Sequence, residues 1–587
     1  MSFFKLIKIL IFSCLLSGIS LAQSYYKSDT PFSPRPEEKD KKPWPIDHFG
    51  PVGLKLDITQ PGMKLRILGV EENSPAAATG KFKKGQYIIT INGKKLDGRD
   101  PRVVLGDRIT ESEANGGIMV IAIADKPGGA PTNVNVQLQN MGKFSATWPE
   151  NCPKSDKIVR QFADFLRNQN ADTYGAALFL LSTGEQKDLD TVKSWYSGKL
   201  TDKDYSKAIP WDIGYHGSGV CEYYLRTGDK SVLPAIAKMA ERLKNTIYNG
   251  AWAGRGGAPY PYGQLNASGV HCVTFLMLAK ECGVAVDQKT FDSALRFFYR
   301  FAGKNNVAYG NQMPEGGFVD NGKTSKLAFA MAAAAALTDG QEESVYAKAR
   351  DISATKGFYS TSWLFHGHTG GGIGELWRGQ SMNIVKDKRP VAHRTFMDGR
   401  RWMYELARRH DHAFGWFGGW NVSYMTTGHS PKGNFIRSWG NFIPMVFTQH
   451  KKNLRMHGAP KTKFSNIYKL PTRPWGTPAD DAFLSLTPGE YAPGKRIDIS
   501  KEKLVTHASK PLSGFISKSD SDDVLLGYAL HIDQGIRAVA AKTIASKGKA
   551  DLAIRLLKSS DPRGRQAGLL TMTGGFKAKP MSSSKIT

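Results

Sequence analysis

The sequence predicts a multidomain protein in which a small α+β domain is followed by an all-α ring of five or six helical hairpins and a short helical appendage. Three observations support this. Short β-patterned runs fill residues 46 to 140, one helical phrase recurs five times between about 170 and 380, and helical patterns return after residue 506. A period of two in apolar residues indicates strands, and a period near 3.6 indicates helices.

The chain opens with the features of a secretory signal over residues 1 to 22. Lys5 and Lys8 precede a short apolar run, and Ser20-Leu21-Ala22 forms a small-x-small cleavage site. The run is too short for a permanent anchor. We therefore expect an exported protein, periplasmic or extracellular, with no stable membrane span after cleavage. A flexible linker is predicted over 23 to 45, which is rich in proline and charge.

The β-patterned region carries a recognisable set of turns. Asn73-Ser74-Pro75-Ala76 is followed by Gly80, by Lys84-Gly85 and by a strand-turn, residues 88 to 93, that ends in Asn-Gly. These motifs resemble a PDZ domain of the bacterial periplasmic type. The resemblance implies strand addition of a peptide or protein C-terminus, beside a loop formed by Gly50, Val52, Gly53 and Leu54. A loop that binds a carboxylate needs free backbone N–H groups, and Pro51 has none. The alternative is therefore that the domain binds no peptide and only positions the substrate.

The repeated phrase is typical of helical hairpins, and the predicted ring of hairpins spans residues 153 to 455. Each first helix starts with small residues, is apolar on nearly all sides and is expected to be buried. Glycine just past a helix is the usual left-handed stop, and five glycines hold that place: Gly184, Gly228, Gly283, Gly340 and Gly379. The second helices are amphipathic and basic. Small-residue starts favour closure into a ring over an open solenoid, and residues 435 to 450 offer a sixth inner helix.

The remaining chain divides into three parts. Residues 456 to 505 are Pro-rich and are predicted to be irregular, residues 506 to 575 form a helical, HEAT-like appendage, and residues 576 to 587 form a disordered tail. Four cysteines follow the signal: Cys152, Cys221, Cys272 and Cys282. They allow two disulfides by any of three connectivities. We favour Cys221 with Cys272, and four buried free thiols are the equal alternative.

Charge narrows the choice of partners. The 587 residues contain 80 Lys and Arg against 52 Asp and Glu, a net charge of +28. This excess fits an anionic polysaccharide, although a solvated basic surface is the plain alternative. Finger, helix-turn-helix and aromatic-sheet signatures are missing from the sequence, so nucleic acid is not an expected partner.

Four long loops, each before an inner helix, concentrate at one end of the predicted ring. They are rich in glycine and aromatic residues, whereas the connections at the other end are short, so the long loops predict the functional mouth. We expect these residues to bind substrate: Trp252, Arg255, Tyr260, Tyr262, His271, Trp363, Trp416, Trp420 and His429.

Acids and bases at the same end are the catalytic candidates. Histidine and carboxylate side chains supply general acids and bases near neutral pH. The candidates are His366 and His368 as base, with Glu375, Asp212, His216 and Glu315 beside them. His366-x-His368 and His410-x-His412 have the spacing of metal ligands but lack a placed third ligand, so neither a metal nor a cofactor is predicted.

The helical region resembles the (α/α)-toroid superfamily, which includes terpene cyclases, lanthionine cyclases, glycosidases and polysaccharide lyases. Gly214-Tyr215-His216-Gly217-Ser218-Gly219 is similar to the glycine-rich inner-helix start of a lanthionine cyclase. The whole arrangement resembles exported bacterial proteins that combine a PDZ domain with such a toroid. Our leading hypothesis is a lyase or hydrolase that acts on an anionic polysaccharide. The competing hypothesis is a non-catalytic envelope scaffold.

Overall fold

A computed structural model describes thirteen stretches of the chain: residues 44–46, 49–59, 62, 64–96, 101–173, 175–253, 264–303, 307, 323–359, 371–415, 439–485, 509–532 and 534–573. The predicted signal peptide, nearly all of the linker and the C-terminal tail lie outside these ranges. Within them, a small antiparallel sheet domain precedes a mostly helical region, which confirms the coarse order predicted from the sequence.

The sheet domain has six strands that pair in sequence order, each antiparallel to the next. Two helices lie between strands. The elements are β1 (Trp44–Ile46), β2 (Leu54–Thr59), β3 (Lys64–Val70), α1 (Pro75–Thr79), β4 (Tyr87–Ile91), α2 (Pro101–Ala114), β5 (Ile118–Ala124) and β6 (Thr132–Gln137).

Local sequence explains the turns of this domain. The Ser74 hydroxyl accepts the Ala77 N–H at 3.1 Å, so it caps α1, with Pro75 at the first helical position and Gly80 at φ +61° just after the helix. After β4, Asn92 and Gly93 both have positive φ, 53° and 71°. This is the backbone that a two-residue hairpin turn requires.

The helical region alternates two kinds of helix. Its helices are α3 (Pro153–Arg167), α4 (Ala176–Thr183), α5 (Gln186–Tyr196), α6 (Ser218–Thr227), α7 (Leu233–Lys244), α8 (Asn266–Glu281), α9 (Gln288–Tyr299), α10 (Leu327–Ala335), α11 (Val345–Tyr359), α12 (Gly371–Ile384) and α13 (Pro390–Ala407), followed by a 3₁₀ helix (Trp439–Phe447). All nine residues of α10 are buried, whereas α9 buries one face and exposes the other.

Contacts between the even-numbered helices run in a closed order. Among the described elements, α4 contacts α6, α6 contacts α8, α8 contacts α10, α10 contacts α12, α12 contacts the 3₁₀ helix, and the 3₁₀ helix contacts α4. One hydrogen bond of the last contact joins the Ser182 and Thr448 hydroxyls at 2.6 Å. Each odd-numbered helix packs on the even-numbered helix beside it.

Four of the five predicted glycine stops are found, and one prediction was wrong. Gly184, Gly228, Gly283 and Gly340 have φ between 71° and 79°. Gly379 instead lies inside α12, where a side-chain carbon would meet the Tyr404 hydroxyl and lie 2.6 Å from Val446 Cγ2. Glycine is needed there for close packing. The sixth inner element is 3₁₀ and not α, and it contains Pro444, which cannot donate an α-helical hydrogen bond.

The segment after the 3₁₀ helix crosses the C-terminal ends of α6 and α8. The buried Glu222 carboxylate accepts the N–H groups of Arg455 and Met456, each at 2.9 Å. Arg455 also pairs with Glu281 at 2.6 Å. Burial raises the pKa of Glu222 to about 7, although the two N–H groups and Arg455 oppose the shift. This end of the helical region is therefore covered.

The described cysteines are four buried free thiols. The favoured Cys221–Cys272 pair is not formed, and the Cys272 thiol donates instead to the Pro210 carbonyl at 3.2 Å. The neighbour of Cys221 is instead Cys282, whose thiol lies 3.7 Å from the Cys221 carbonyl oxygen.

Residues 456 to 485 contain no long helix. After them, five helices end the described chain. They pack on one another and are α14 (Ser509–Lys518), α15 (Asp522–Ala529), α16 (Gln534–Ser546), α17 (Ala550–Leu557) and α18 (Pro562–Thr573). Within the part of the chain that the structure covers, no helix has both the length and the apolar character that crossing a membrane requires.

The sheet domain is fixed to the helical region through α2 and α13. At Gly106 a side-chain carbon would lie 2.5 Å from the Trp402 Cα atom, so the two helices touch at backbone distance. Next to this contact, buried Lys154 pairs with Glu113 of α2 at 2.8 Å and with Glu405 of α13. Glu405 also pairs with Arg408, which lies 2.7 Å from Glu113. Buried charges of both signs thus join the two domains.

Candidate active site

His216 lies in a π-helical turn that leads into α6. One helical turn, Pro210–Asp212, precedes the π turn Ile213–Gly217. Two glycines of the turn allow α8 to come close, since a side-chain carbon at Gly214 would lie 2.7 Å from His271 Cβ and one at Gly217 2.7 Å from Phe275 Cδ2. Single π turns within helices are frequent at functional sites.

The imidazole of His216 is oriented by Asp172. Its Nδ1 atom lies 3.0 Å from Asp172 Oδ2, and the two side chains are 17% and 10% exposed. Asp172 is itself held in place, because Oδ1 accepts the Ala177 N–H at 3.0 Å and Oδ2 accepts the Tyr196 hydroxyl at 2.5 Å. An Nδ1–H directed at the carboxylate leaves Nε2 as the basic nitrogen.

Tyr205 stands at the Nε2 side of the imidazole. Its hydroxyl lies 3.5 Å from His216 Nε2, and the two rings are stacked with centroids 6.3 Å apart. Burial, with a smaller effect of Asp172, raises the pKa of Tyr205 to about 12. The same two causes raise the pKa of Tyr196. Both phenols therefore stay protonated at neutral pH and act as donors. We call Asp172, Tyr196, Tyr205 and His216 the His–Asp–Tyr network.

A buried aromatic cluster lies directly beside this network. Tyr215 contacts His271, Phe442 and Trp377 at centroid distances of 4.5, 4.8 and 5.6 Å. Its members come from the π turn, α8, α12 and the 3₁₀ helix, so these elements converge on one point. Burial, and less strongly Lys326, lowers the pKa of His271, and within the described part its Nε2 atom has no hydrogen-bond partner.

Four buried cations lie in the turn before α10 and in the two helices that follow it. Lys323, Lys326 and Lys356 are 0% exposed and Arg378 is 1% exposed. The turn before α10 meets three helices, because Lys326 Nζ donates to Ala267 O at 3.3 Å, Ser381 Oγ donates to Ser325 O at 3.0 Å, and Gly357 packs on Ser325.

The predicted site residues have different outcomes. His216 joins the network, and Asp212 lies one turn before it. Trp252 and His271 are 0% and 2% exposed, so the structure places them in the core and not in an open subsite. The indole N–H of Trp252 donates to the Leu243 carbonyl at 2.9 Å, which anchors it there.

The other predicted residues of the mouth fall outside the described part of the chain. Glu375 belongs to α12, but its side chain is not among the described ones. The remaining residues are Arg255, Tyr260, Tyr262, Glu315, Trp363, His366, His368, Trp416, Trp420 and His429.

The loop proposed for peptide binding is buried. Gly50, Val52, Gly53 and Leu54 all lie in the core, and a side-chain carbon at Gly50 would lie 2.5 Å from Ile109 Cδ1 and 2.9 Å from the Glu405 carbonyl oxygen. The structure therefore places these residues in the contact between the sheet domain, α2 and α13.

Sequence reasoning missed Asp172, Tyr196 and Tyr205. One signal was present for Asp172, which directly precedes the small-residue start of the first inner helix, at the end where catalytic groups were expected. Tyr196 closes an outer helix and Tyr205 lies in a Lys-rich connection, and neither position marks a site. In the described ranges, no three His, Cys, Asp or Glu side chains are grouped as metal ligands would be.

Fold and site together define a helical protein with an N-terminal sheet domain and a His–Asp–Tyr network at the start of two inner helices. Residues 155–458 match a family described as a domain of unknown function (DUF6288). The match covers more than half of the 587 residues, so the chain belongs to this family. Neither the curated proteins nor the solved structures contain a match to the chain.

Proposed function

We propose that this protein is an exported lyase that cleaves an anionic polysaccharide by acid–base catalysis at His216. The observation that carries the proposal is the hydrogen-bonded series Asp172–His216–Tyr205, which joins a carboxylate, an imidazole and a protonated phenol. This series offers a base and an acid side by side, as an elimination needs.

We further propose that the helical region is an (α/α) toroid of six hairpins. The closed order of contacts among the inner helices supports it. So does the meeting of Tyr215, His271, Trp377 and Phe442, whose elements converge on one point. Because residues 455 to 468 cover the C-terminal ends of the inner helices, substrate would enter at the N-terminal ends, where His216 lies.

The chemistry follows from the atoms of the network. His216 Nε2 removes the proton from the carbon beside the uronate carboxylate, and Asp172 stabilises the resulting imidazolium. The electron pair of that C–H bond forms a carbon–carbon double bond as the glycosidic C–O bond breaks. Tyr205 gives its proton to the departing oxygen. Since the acceptor nitrogen and the donor oxygen are 3.5 Å apart, both act from one side of the sugar.

Positive charge supports an anionic substrate. Lys323 and Lys326 lie in the turn that leads into α10. Nearer the network, the exposed Lys203 holds its Nζ atom 5.5 Å from the Tyr205 ring centroid. The main barrier to elimination is the low acidity of the proton beside the carboxylate. Neutralising the substrate carboxylate makes that proton more acidic and so lowers the barrier.

The network favours elimination over hydrolysis. Glycosidases that hydrolyse usually place two carboxyl groups about 5 to 9.5 Å apart across the bond. Among the described side chains of the network, Asp172 is the single carboxylate, and His216 and Tyr196 already occupy it. A neutral phenol next to an oriented imidazole suits a lyase better.

The test is a panel of uronate-containing polysaccharides with two readouts: ultraviolet absorbance of an unsaturated product, and new reducing ends. We expect at least one polymer to give both signals with the wild-type protein, and His216→Ala to lose both. His450→Ala, a partly buried histidine outside the network, is the matched control and should keep them. Reducing ends without ultraviolet absorbance would indicate hydrolysis. No product from any polymer, with binding intact, would favour the scaffold alternative.

A further inference from the structure

The outer edge of β2 is already occupied by the chain itself. β1 pairs antiparallel with it, in the register Trp44↔Ile58, Pro45↔Asp57 and Ile46↔Leu56. The carboxyl end of β1 therefore points toward the loop of residues 49 to 53. An extended peptide that added to this sheet edge would take the same place and could run in the same direction.

The loop beyond β1 is also closed. The Phe49 N–H donates to the Leu54 carbonyl at 2.8 Å and the Val52 N–H to the Phe49 carbonyl at 3.0 Å. These two amides are therefore used within the loop and are not directed at a ligand carboxylate. Ile109 and the Glu405 carbonyl pack against Gly50, so a terminal carboxylate has no space there.

We infer that residues 44–46 are a built-in ligand of the β2 edge, which a peptide can reach only by displacing them. This inference does not depend on the proposed lyase activity. It assigns the sheet domain a closed resting state, in which the loop of residues 49 to 53 packs on α13 and strand addition is blocked.

The pairing is short enough to be reversible. β1 has only three residues. Few ladder hydrogen bonds can therefore hold β1, and its covalent tether to the domain acts as an effective concentration on the order of millimolar. Pro45 also blunts the new outer edge against further strands.

The register of β1 on β2 indicates what kind of peptide would fit the β2 edge. Trp44 pairs with Ile58 and Ile46 pairs with Leu56 of β2. The side chains of Leu56 and Ile58 are buried. A competing segment therefore needs apolar residues at alternate positions and a donor N–H at each position that pairs with β2. A segment longer than three residues would form more ladder bonds with β2 than β1 does.

The experiment compares two proteins without the predicted signal: the chain from residue 23, and the chain from residue 48, which lacks β1. The probe is a fluorescent peptide with the sequence of residues 40 to 48, and fluorescence anisotropy measures its binding. A peptide of the same composition in scrambled order is the control. We expect the shorter protein to bind the probe at least tenfold more tightly than the longer one, with no binding of the scrambled peptide.

Three results would overturn the inference. Equal binding by both proteins would show that the β2 edge is open in the longer chain. A shorter protein that melts as cooperatively as the longer one but ignores the probe would show that β1 is not a ligand, and one that fails to fold would show that β1 is an integral strand. In the longer chain, the double variant Trp44→Gly, Ile46→Gly should bind the probe to an intermediate extent.

Discussion

The Nδ1 atom of His216 lies 3.0 Å from Oδ2 of Asp172, and the two residues are joined across the starts of two inner helices. The carboxylate is fixed by the Ala177 N–H and the Tyr196 hydroxyl, so it cannot turn away when the imidazole changes charge. Preorganisation of this kind lowers the cost of charge formation in a reaction. It makes His216 the expected proton acceptor.

Tyr205→Phe removes the phenolic proton and leaves the ring in place. We expect kcat for unsaturated product to fall about 10²- to 10⁴-fold, the usual contribution of a general acid, with KM little changed. Because the pKa of Tyr205 is raised to about 12, the wild-type rate should show no loss from Tyr205 ionisation up to about pH 10. Tyr248→Phe, at an exposed tyrosine, is the control. An unchanged kcat in Tyr205→Phe would remove Tyr205 from the mechanism.

Gly214→Ala tests the close approach of the π turn to α8. The added carbon would lie 2.7 Å from His271 Cβ, so we expect destabilisation by about 1–3 kcal/mol from overpacking and a displaced His216. Chemical denaturation measures the change. Gly527→Ala, in α15 with nothing within 4 Å of the added carbon, should be neutral or slightly stabilising. Equal stability of the two variants would contradict the described packing.

Glu222 predicts a pH dependence of stability. Its pKa is raised to about 7 in the folded protein, against about 4.3 in an unfolded chain. The folded state therefore binds the proton more tightly, and this stabilising contribution is complete below about pH 4.3 and lost as pH rises to about 7.

Unfolding free energy measured at pH 5 and pH 8 checks this sign. The contribution of Glu222 should decrease by about 2–4 kcal/mol over the full interval, and Glu222→Gln should remove that part of the slope. Glu241→Gln, at an exposed position, should leave the slope unchanged. If the pH dependence of stability is unchanged in Glu222→Gln, it comes from other titratable groups.

Lys154→Met tests the charged contact between the two domains. It leaves Glu113 and Glu405 with Arg408 as their remaining cation in the described cluster, and breaking a buried pair costs about 3–5 kcal/mol. We expect a loss of that size in unfolding free energy and faster proteolysis between β6 and α3. Lys157→Met, exposed on the same helix, is the control. Comparable stability of the two variants would show that the cluster does not hold the domains together.

Local patterns in the sequence predicted local structure well. The Ser74 cap, the Asn92-Gly93 turn and the stops at Gly184 and Gly228 depend on a few neighbouring residues, so motif and structure agree there. Gly379 failed as a stop because its role is set by Tyr404 and Val446, which are distant in sequence. A glycine that packs and a glycine that ends a helix look the same in one sequence.

The candidate site shows the same limit. His216 was visible because it stands within a glycine-rich helix start, but Tyr205 reaches it from a connecting loop and Asp172 from the preceding hairpin. Only the assembled helices bring the three together. The prediction for Trp252 was wrong because its Gly-rich aromatic segment is typical of an open loop. In the structure the indole is buried in the core, where its N–H donates to the Leu243 carbonyl.

The central claim is that Asp172 and His216 act as one catalytic unit, and a double-mutant cycle on the rate of unsaturated product tests it most directly. Groups that act as a unit are strongly non-additive. We predict that Asp172→Asn and His216→Ala each lower kcat/KM by about 10²- to 10⁴-fold, and that the double variant is no slower than His216→Ala. Additive losses, or full activity in either single variant, would contradict the claim.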